Sequence, residues 1–370
     1  MAATVQALRF HGKEDIRVEA IEPQPCGPNE VRLRIEFCGI CGSDIHEYQA
    51  GPIFSPAIGT KHLHTGLELP VTLGHEMSGT IIEIGSEIKG LDLGQLCTVN
   101  PSVHDEHYRL EPCRSCLKGR TNLCKRWACY GYSAPGGGLA DEIVVNIASL
   151  LPVPAGVSPE AAALSEPLAV ACHMIRESGF VKGDTVLILG GGPIGLALLL
   201  LLKMEGASKV FLSELAPARA QKAREFGADL VLDPSAAPKS ADQDVVLQNI
   251  LELTEDGVDV AFDAIGIQAT LNTAIAATRS GGTIFNVAIH EKPLSIHPNL
   301  LTLGEKRYTG GICYTKKDFE KVLEALASGN LPADKMITSI ISLKDVVEGA
   351  FEELIKHKED HVKILVKPGA

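Results

Sequence analysis

At 370 residues, 45% hydrophobic and 22% charged, the chain is long enough for two domains whose cores fold without covalent staples. A formal charge of −12 argues against nucleic acid or an anionic membrane surface as a partner, because both reward positive charge. The longest apolar run, residues 194–202, is far too short to span a bilayer and reads as a buried helix.

The first 18 residues alternate charged and apolar side chains and lack the apolar core of a signal peptide, which points to a cytoplasmic address. In that setting ten cysteines point to burial or metal binding rather than to a disulfide framework. Residues 31–38 (VRLRIEFC) alternate cleanly, and 77–84 (MSGTIIEI) also read as a strand; Gly and Pro punctuate the rest of the first 155 residues. This half reads as a loop-rich antiparallel β domain. The rhythm changes near Pro159. Residues 159–178 have a helical, Ala-rich pattern, followed by strand 184–189, helix 195–205, strand 209–213, helix 217–226, and apolar strands at 258–263 and 283–288. Strands alternating with helices predict a doubly wound parallel sheet, so the fold class is α/β. Residues 318–328 and 344–357 read as helices. The strand-like stretch 362–366 has no obvious neighbour in that sheet and is expected to rejoin the first domain.

Gly190-Gly191-Gly192-Pro193-Ile194-Gly195 satisfies the dinucleotide-binding pattern G-x-G-x-x-G, with a buried strand before it and a helix after it. Gly190 allows the tight turn, Gly192 the approach of a pyrophosphate, and Gly195 close packing of helix on strand. The helix start that follows at Pro193 and Ile194 offers free N–H groups to phosphate. Glu214 ends the next strand, 19 residues after Gly195, where an acid holds the ribose hydroxyls and repels a 2′-phosphate. This favours NAD over NADP, although nearby Arg219 complicates the reading or covers the adenine.

Two groups of metal-binding residue types precede this turn. Cys41, with His75-Glu76 further on, supplies a thiolate, an imidazole and a carboxylate, a set suited to a catalytic zinc with one position open. Strand-end packing or a redox Cys38-x-x-Cys41 pair are the alternatives. The second group, Cys113, Cys116 and Cys124, sits in a loop rich in Gly, Arg and Lys, and its spacing suits a structural zinc. Such a site needs a fourth ligand, for which His107, Glu111 and Cys129 are the nearby candidates.

Taken in order, Cys41-Gly-Ser-Asp-Ile-His46, Gly74-His75-Glu76, Glu166-Pro-Leu and the glycine turn resemble the medium-chain zinc-containing alcohol and polyol dehydrogenases over nearly the whole chain. The extended loop between Cys41 and His75, including Gly51-Pro-Ile-Phe54 and residues 62–66, is similar to the butanediol and sorbitol dehydrogenase branch. The resemblance implies a GroES-like catalytic domain at 1–167, an NAD-binding Rossmann domain at 168–309, and a segment 310–370 that completes the catalytic domain. It implies Cys41 and His75 as zinc ligands and leaves Glu76 and Glu166 to compete for the third place. One carboxylate and one thiolate neutralise Zn²⁺, and a second direct carboxylate would make the site anionic. Ser43 and His46 are implied as a proton relay, with Tyr48, Phe54 and Trp127 as lining residues or ordinary packing. In the structural lobe, family members usually carry four cysteines; aligning Cys113, Cys116 and Cys124 to the last three leaves Leu110 at the first.

The implied activity is hydride transfer between NAD and a small secondary alcohol or its ketone, above all a vicinal diol of the 2,3-butanediol and acetoin type. A sorbitol or xylitol dehydrogenase, a biosynthetic secondary alcohol dehydrogenase, and a silent nucleotide-binding protein on the same fold are the alternatives. A homodimer or homotetramer assembled through strands edging the nucleotide domain is implied as well, with residues 281–288 read either as such an edge or as a buried central strand.

Overall fold

The computed structural model describes residues 4–236, 244–290 and 292–369. The chain forms two compact units, one of Met1–Glu166, Thr315–Gly329 and Ala333–Ala370, the other of Pro167–Tyr314 and Asn330–Pro332.

In the first unit the strand Glu30–Gly39 lies inside a seven-stranded sheet. It pairs antiparallel with Glu76–Ile84, Glu142–Asn146 and Lys363–Lys367. Its alternation sends Val31, Leu33 and Ile35 into the core and leaves Arg32 and Arg34 on the outer face, where Arg32 reaches Glu83 on the neighbouring strand at 2.7 Å. The buried row joins Leu8, Phe10, Met77, Ile81, Val145 and Ile364 in one cluster. Each fully buried aliphatic or aromatic side chain here contributes about 1.5–3 kcal/mol. The final strand, expected at 362–366, is Lys363–Lys367, parallel to Ile337–Ser342 and antiparallel to Glu30–Gly39, so the chain end returns to the first unit.

The second unit holds six parallel strands in the order Leu230–Leu232, Lys209–Ser213, Thr185–Leu189, Val258–Asp263, Thr278–Asn286 and Arg307–Gly310. Numbered along the chain within this sheet, that order is 3-2-1-4-5-6, the Rossmann arrangement. The helix Pro193–Glu205 buries residues 195–202 without a break and stops at Gly206, whose φ of +85° caps its C-terminus. A helix apolar on all sides is one covered on all sides. The apolar stretch 281–288 falls largely in Thr278–Asn286, which has neighbours on both sides and is not an edge. The edges are Leu230–Leu232 and, beside Thr278–Asn286, Arg307–Gly310, the latter exposed at all four residues. The expected helix 344–357 is broken into a 3₁₀ turn at Leu343–Asp345, a π-helical segment at Val347–Glu352 and an α-helical turn at Glu353–Lys356. Among the described residues, no helix is long and apolar enough to cross a membrane.

Candidate active site and metal centre

Sheet register builds the first site. Gly39, at the end of its strand, pairs with Glu76 at the start of the next. Cys41, two residues beyond Gly39, therefore meets His75, and the donor atoms of Cys41, His75 and Glu76 all lie within 4.8 Å of one another. His75 and Glu76 are buried, and Cys41 is partly so. Glu166 is not a member of this close group. It is buried and near enough to Lys363 to act on that residue's charge.

Lys363, which nothing in the sequence pattern singled out, lies at the first position of the last strand. Its ammonium, 2% exposed, donates to both Glu76 oxygens at 2.7 Å and to the Ile40 carbonyl at 3.1 Å. Burial works against a charged lysine, but Glu76, Cys41 and Glu166 outweigh it and hold the Lys363 pKa above its ordinary value.

The helix Gly42–Ala50 begins directly after Cys41, with Asp44 accepting the Cys41 N–H at 2.9 Å to close its first turn. Asp44 Oδ1 stands 3.5 Å from His75 Nδ1, a charge contact too long for a full hydrogen bond. His75 Nδ1 is buried with no hydrogen-bond partner among the described residues. Burial disfavours a cationic imidazole, yet Asp44 and Cys41 lift the His75 pKa well above its usual value. A divalent cation suits surroundings that draw positive charge this strongly, and thiolate, imidazole and carboxylate are zinc donors. An aspartate behind the histidine is the support such a ligand needs. The residues present fit zinc.

Ser43 Oγ lies 3.5 Å from His75 Nε2 and 2.8 Å from the Tyr132 hydroxyl. His46 is exposed on the same helix. Tyr48 packs edge-on against Phe351, Phe54 packs against Tyr132, and the Trp127 indole donates to Ser102 Oγ at 3.2 Å. All three lie against the core of this unit.

The second group is Asp105, Cys113, Cys116 and Cys124, again with donor atoms within 4.8 Å of one another. The short turn Arg114–Leu117 and the loop to Cys124 bring the sulfurs together, with Cys113 and Cys124 Sγ at 4.0 Å. Asp105 accepts the Cys113 N–H at 2.7 Å and pairs with Arg126. These bonds outweigh burial and hold its carboxyl well below the usual range. The structure places Asp105 with the three cysteines, while the candidates His107, Glu111 and Cys129 stand outside this close group. His107 bonds Ser149 Oγ at 2.8 Å, and burial with His104 beside it depresses its pKa to about 3. Glu111 is exposed, and the Cys129 thiol donates to the Tyr130 carbonyl. Asp105 escaped notice because it lies eight residues before Cys113, outside the tight cysteine spacing.

In the second unit the glycine turn has the geometry a dinucleotide requires. Gly190 has φ of +106°, open only to a residue without Cβ penalty, and a Cβ on Gly195 would stand 1.9 Å from the Gly190 carbonyl. A Cβ on Gly192 would meet nothing nearer than Arg219 Nη1 at 4.0 Å, so that flank of the turn is open, with a guanidinium over it. Glu214 accepts the Gly191 N–H at 2.6 Å and the Ala216 N–H at 2.7 Å, which pins its carboxylate to the turn. Pro193 and Ile194 begin the helix, with Gly192 as its N-cap.

Residues 27–155 match the alcohol dehydrogenase GroES-like domain, and residues 193–328 match the zinc-binding dehydrogenase domain. An (R,R)-butanediol dehydrogenase of Saccharomyces cerevisiae is 37% identical over 98% of both chains. A probable (R)-acetoin-forming diacetyl reductase of the same yeast is 40% identical over 98% of this chain and 90% of its own. The crystal structure of 2R,3R-butanediol dehydrogenase from Bacillus subtilis superposes with a TM-score of 0.90 at 38% identity, covering 99% of this chain and all of that one. Fold, donor clusters and full-length likeness agree: the chain belongs to the zinc-binding alcohol dehydrogenase family.

Proposed function

We propose that this enzyme oxidises small vicinal diols of the 2,3-butanediol type to hydroxyketones with NAD and runs the reverse reduction of acetoin-type substrates. In oxidation a hydride leaves the carbinol carbon for the nicotinamide and the hydroxyl proton goes to solvent, giving ketone, NADH and H⁺. The observation that carries the chemistry is the buried group of Cys41, His75 and Glu76 with the Ser43 hydroxyl beside it. The substrate class rests on the likeness to the butanediol and diacetyl relatives.

Cys41, His75 and Glu76 would hold the catalytic zinc, with Glu166 outside them. A zinc ion there supplies Lewis-acid polarisation of the alcohol oxygen. Lys363 neutralises one carboxylate and keeps the site from turning anionic. Ser43 takes the hydroxyl proton, and exposed His46 completes its path to solvent. Glu214 holds the adenosine ribose and disfavours a 2′-phosphate, while Arg219 flanks the pyrophosphate side of the turn. A cytoplasmic address and a homodimer or homotetramer fit this reading. Arg307–Gly310, with unpaired backbone along its exposed edge, is where a second copy would add.

Initial rates with NAD and NADP against a panel of diols and polyols test the substrate and cofactor together. We expect kcat/KM for 2,3-butanediol with NAD to exceed that for sorbitol or xylitol by about tenfold or more, the discrimination a small pocket readily gives. A preference for the polyols would redirect the assignment to that branch.

Cys113, Cys116, Cys124 and Asp105 would hold a structural zinc, with Arg126 balancing the added charge. Metal analysis is expected to find about two zinc ions per chain, falling to about one in Asp105→Ala and staying at two in Asp105→Cys. Unchanged zinc content in Asp105→Ala would remove Asp105 from the ligand set.

A further inference from the structure

Tyr132 lies 82 residues beyond Ala50, the end of the helix Gly42–Ala50, yet it is buried with its hydroxyl against that helix's first turn. It stands 2.8 Å from Ser43 Oγ and 3.0 Å from Asp44 Oδ1. The ring is held on both sides, 5.0 Å from His75 and 5.4 Å from Phe54 between centroids. Phe54 is itself fixed. The buried Glu47 carboxylate accepts the N–H groups of Ile53, Phe54 and Ser55 at about 3 Å and ties that loop to the helix that carries Ser43.

The two contacts of the Tyr132 hydroxyl decide the direction of each bond. A phenol owns one proton, and an ionised carboxylate can only accept. The Tyr132 proton therefore goes to Asp44, whose other oxygen is taken by the Cys41 N–H. The Tyr132 oxygen then accepts from Ser43. With its own proton committed to Tyr132, the Ser43 hydroxyl turns lone pairs toward whatever lies on its other side. We infer that Tyr132 is a positioning residue that sets the sense of the Ser43 hydroxyl before transfer, turning its lone pairs to the alcohol. As Ser43 takes the alcohol's proton, its own leaves the bond to Tyr132 for the path through His46 to solvent, so that one proton enters Ser43 and one leaves. This rests on the reading of Ser43 as the hydroxyl that meets the substrate.

The test uses zinc-loaded enzyme and the variants Tyr132→Phe, Ser43→Ala and their double. Tyr132→Phe is expected to lower kcat for diol oxidation about tenfold, the worth of one hydrogen bond of upper ordinary strength. Zinc per chain and KM for NAD stay within about twofold of the parent, because the ring and its packing remain. Added to Ser43→Ala, the same change costs little further, since both act through one hydroxyl. A larger solvent deuterium isotope effect on kcat in Tyr132→Phe marks the weakened proton transfer, which a packing defect would not produce. If Ser43→Ala leaves kcat intact, the reading of Ser43 fails. If Ser43→Ala lowers kcat but Tyr132→Phe does not, or the two losses multiply, or Tyr132→Phe sheds zinc, the inference about Tyr132 is overturned.

Should Tyr132→Phe not fold, Asp44→Asn decides. Its amide oxygen must stay toward the Cys41 N–H, so its NH₂ faces Tyr132 and reverses both bonds, leaving Ser43 an acceptor from Tyr132 with its proton aimed at the substrate. A fall in kcat like that expected of Tyr132→Phe, at full zinc content and absent when Asp44→Asn is added to Ser43→Ala, supports the inference, because an effect through the Asp44–His75 contact would persist without the Ser43 hydroxyl. Unchanged kcat, or a fall that persists in Ser43→Ala, overturns it.

Discussion

Replacing Cys41 with alanine is expected to remove about one zinc ion per chain and to lower kcat/KM for diol oxidation by at least about 10³-fold. Lewis-acid stabilisation is worth several kcal/mol, and each 1.4 kcal/mol or so is a factor of ten. The loss should be specific to the site, because alanine keeps the backbone N–H that Asp44 accepts and leaves the helix Gly42–Ala50 its first turn. The cysteine group around Asp105 should keep its own metal, so the variant holds about one ion rather than none. The measurement is metal content alongside steady-state kinetics. Alcohol oxidation at the parent rate by a Cys41→Ala enzyme would sink the assignment of both site and chemistry.

How far such a site can be read from a chain depends on where its parts lie. The glycine turn was legible because its residues are contiguous and its meaning is backbone geometry: φ of +106° at Gly190 and a missing Cβ at Gly195 are demands a sequence states directly. The parallel sheet was legible for a similar reason, since buried strands such as Thr185–Leu189 and Val258–Asp263 are short apolar runs between helices. The helices Val245–Thr254 and Gln268–Ala277 were not singled out, and neither were the edge strands Leu230–Leu232 and Arg307–Gly310. The two edge strands are too short to carry a period, and Arg307–Gly310 is too exposed to carry an apolar signal.

The metal groups divide along the same line. Cys41 and His75-Glu76 stood out as residue types with few other uses in such surroundings, and closely spaced cysteines marked the second lobe. Asp105, Tyr132 and Lys363 stayed hidden, because each becomes relevant only through tertiary pairing. Lys363 reaches Glu76 across 287 residues, by way of a final strand whose register against Gly39 no local pattern specifies. The charge balance between Glu76 and Glu166 includes the buried Lys363 ammonium, a cation that no local pattern announces.

That cation carries the second large effect. Substituting Lys363 by methionine, which is similar in length and apolar, is expected to destabilise the first unit by about 3–5 kcal/mol, because it leaves the buried Glu76 carboxylate without its partner. In a metal-stripped enzyme this should lower the melting midpoint by on the order of 10 °C. The double variant Lys363→Met with Glu76→Leu should recover most of that loss, since an apolar pair of similar volume dispenses with the desolvation cost of both charges. Zinc sharpens the test. Glu76 has two cations available to it when the site is loaded, the metal and the lysine, and only one when it is stripped. The Lys363→Met enzyme should therefore melt far closer to the parent with zinc than without it, and its stability should respond more steeply to chelator. Equal melting of parent and Lys363→Met in both states would mean that the Glu76–Lys363 pair bears no charge balance, and that Glu76 is held by something other than its buried cation.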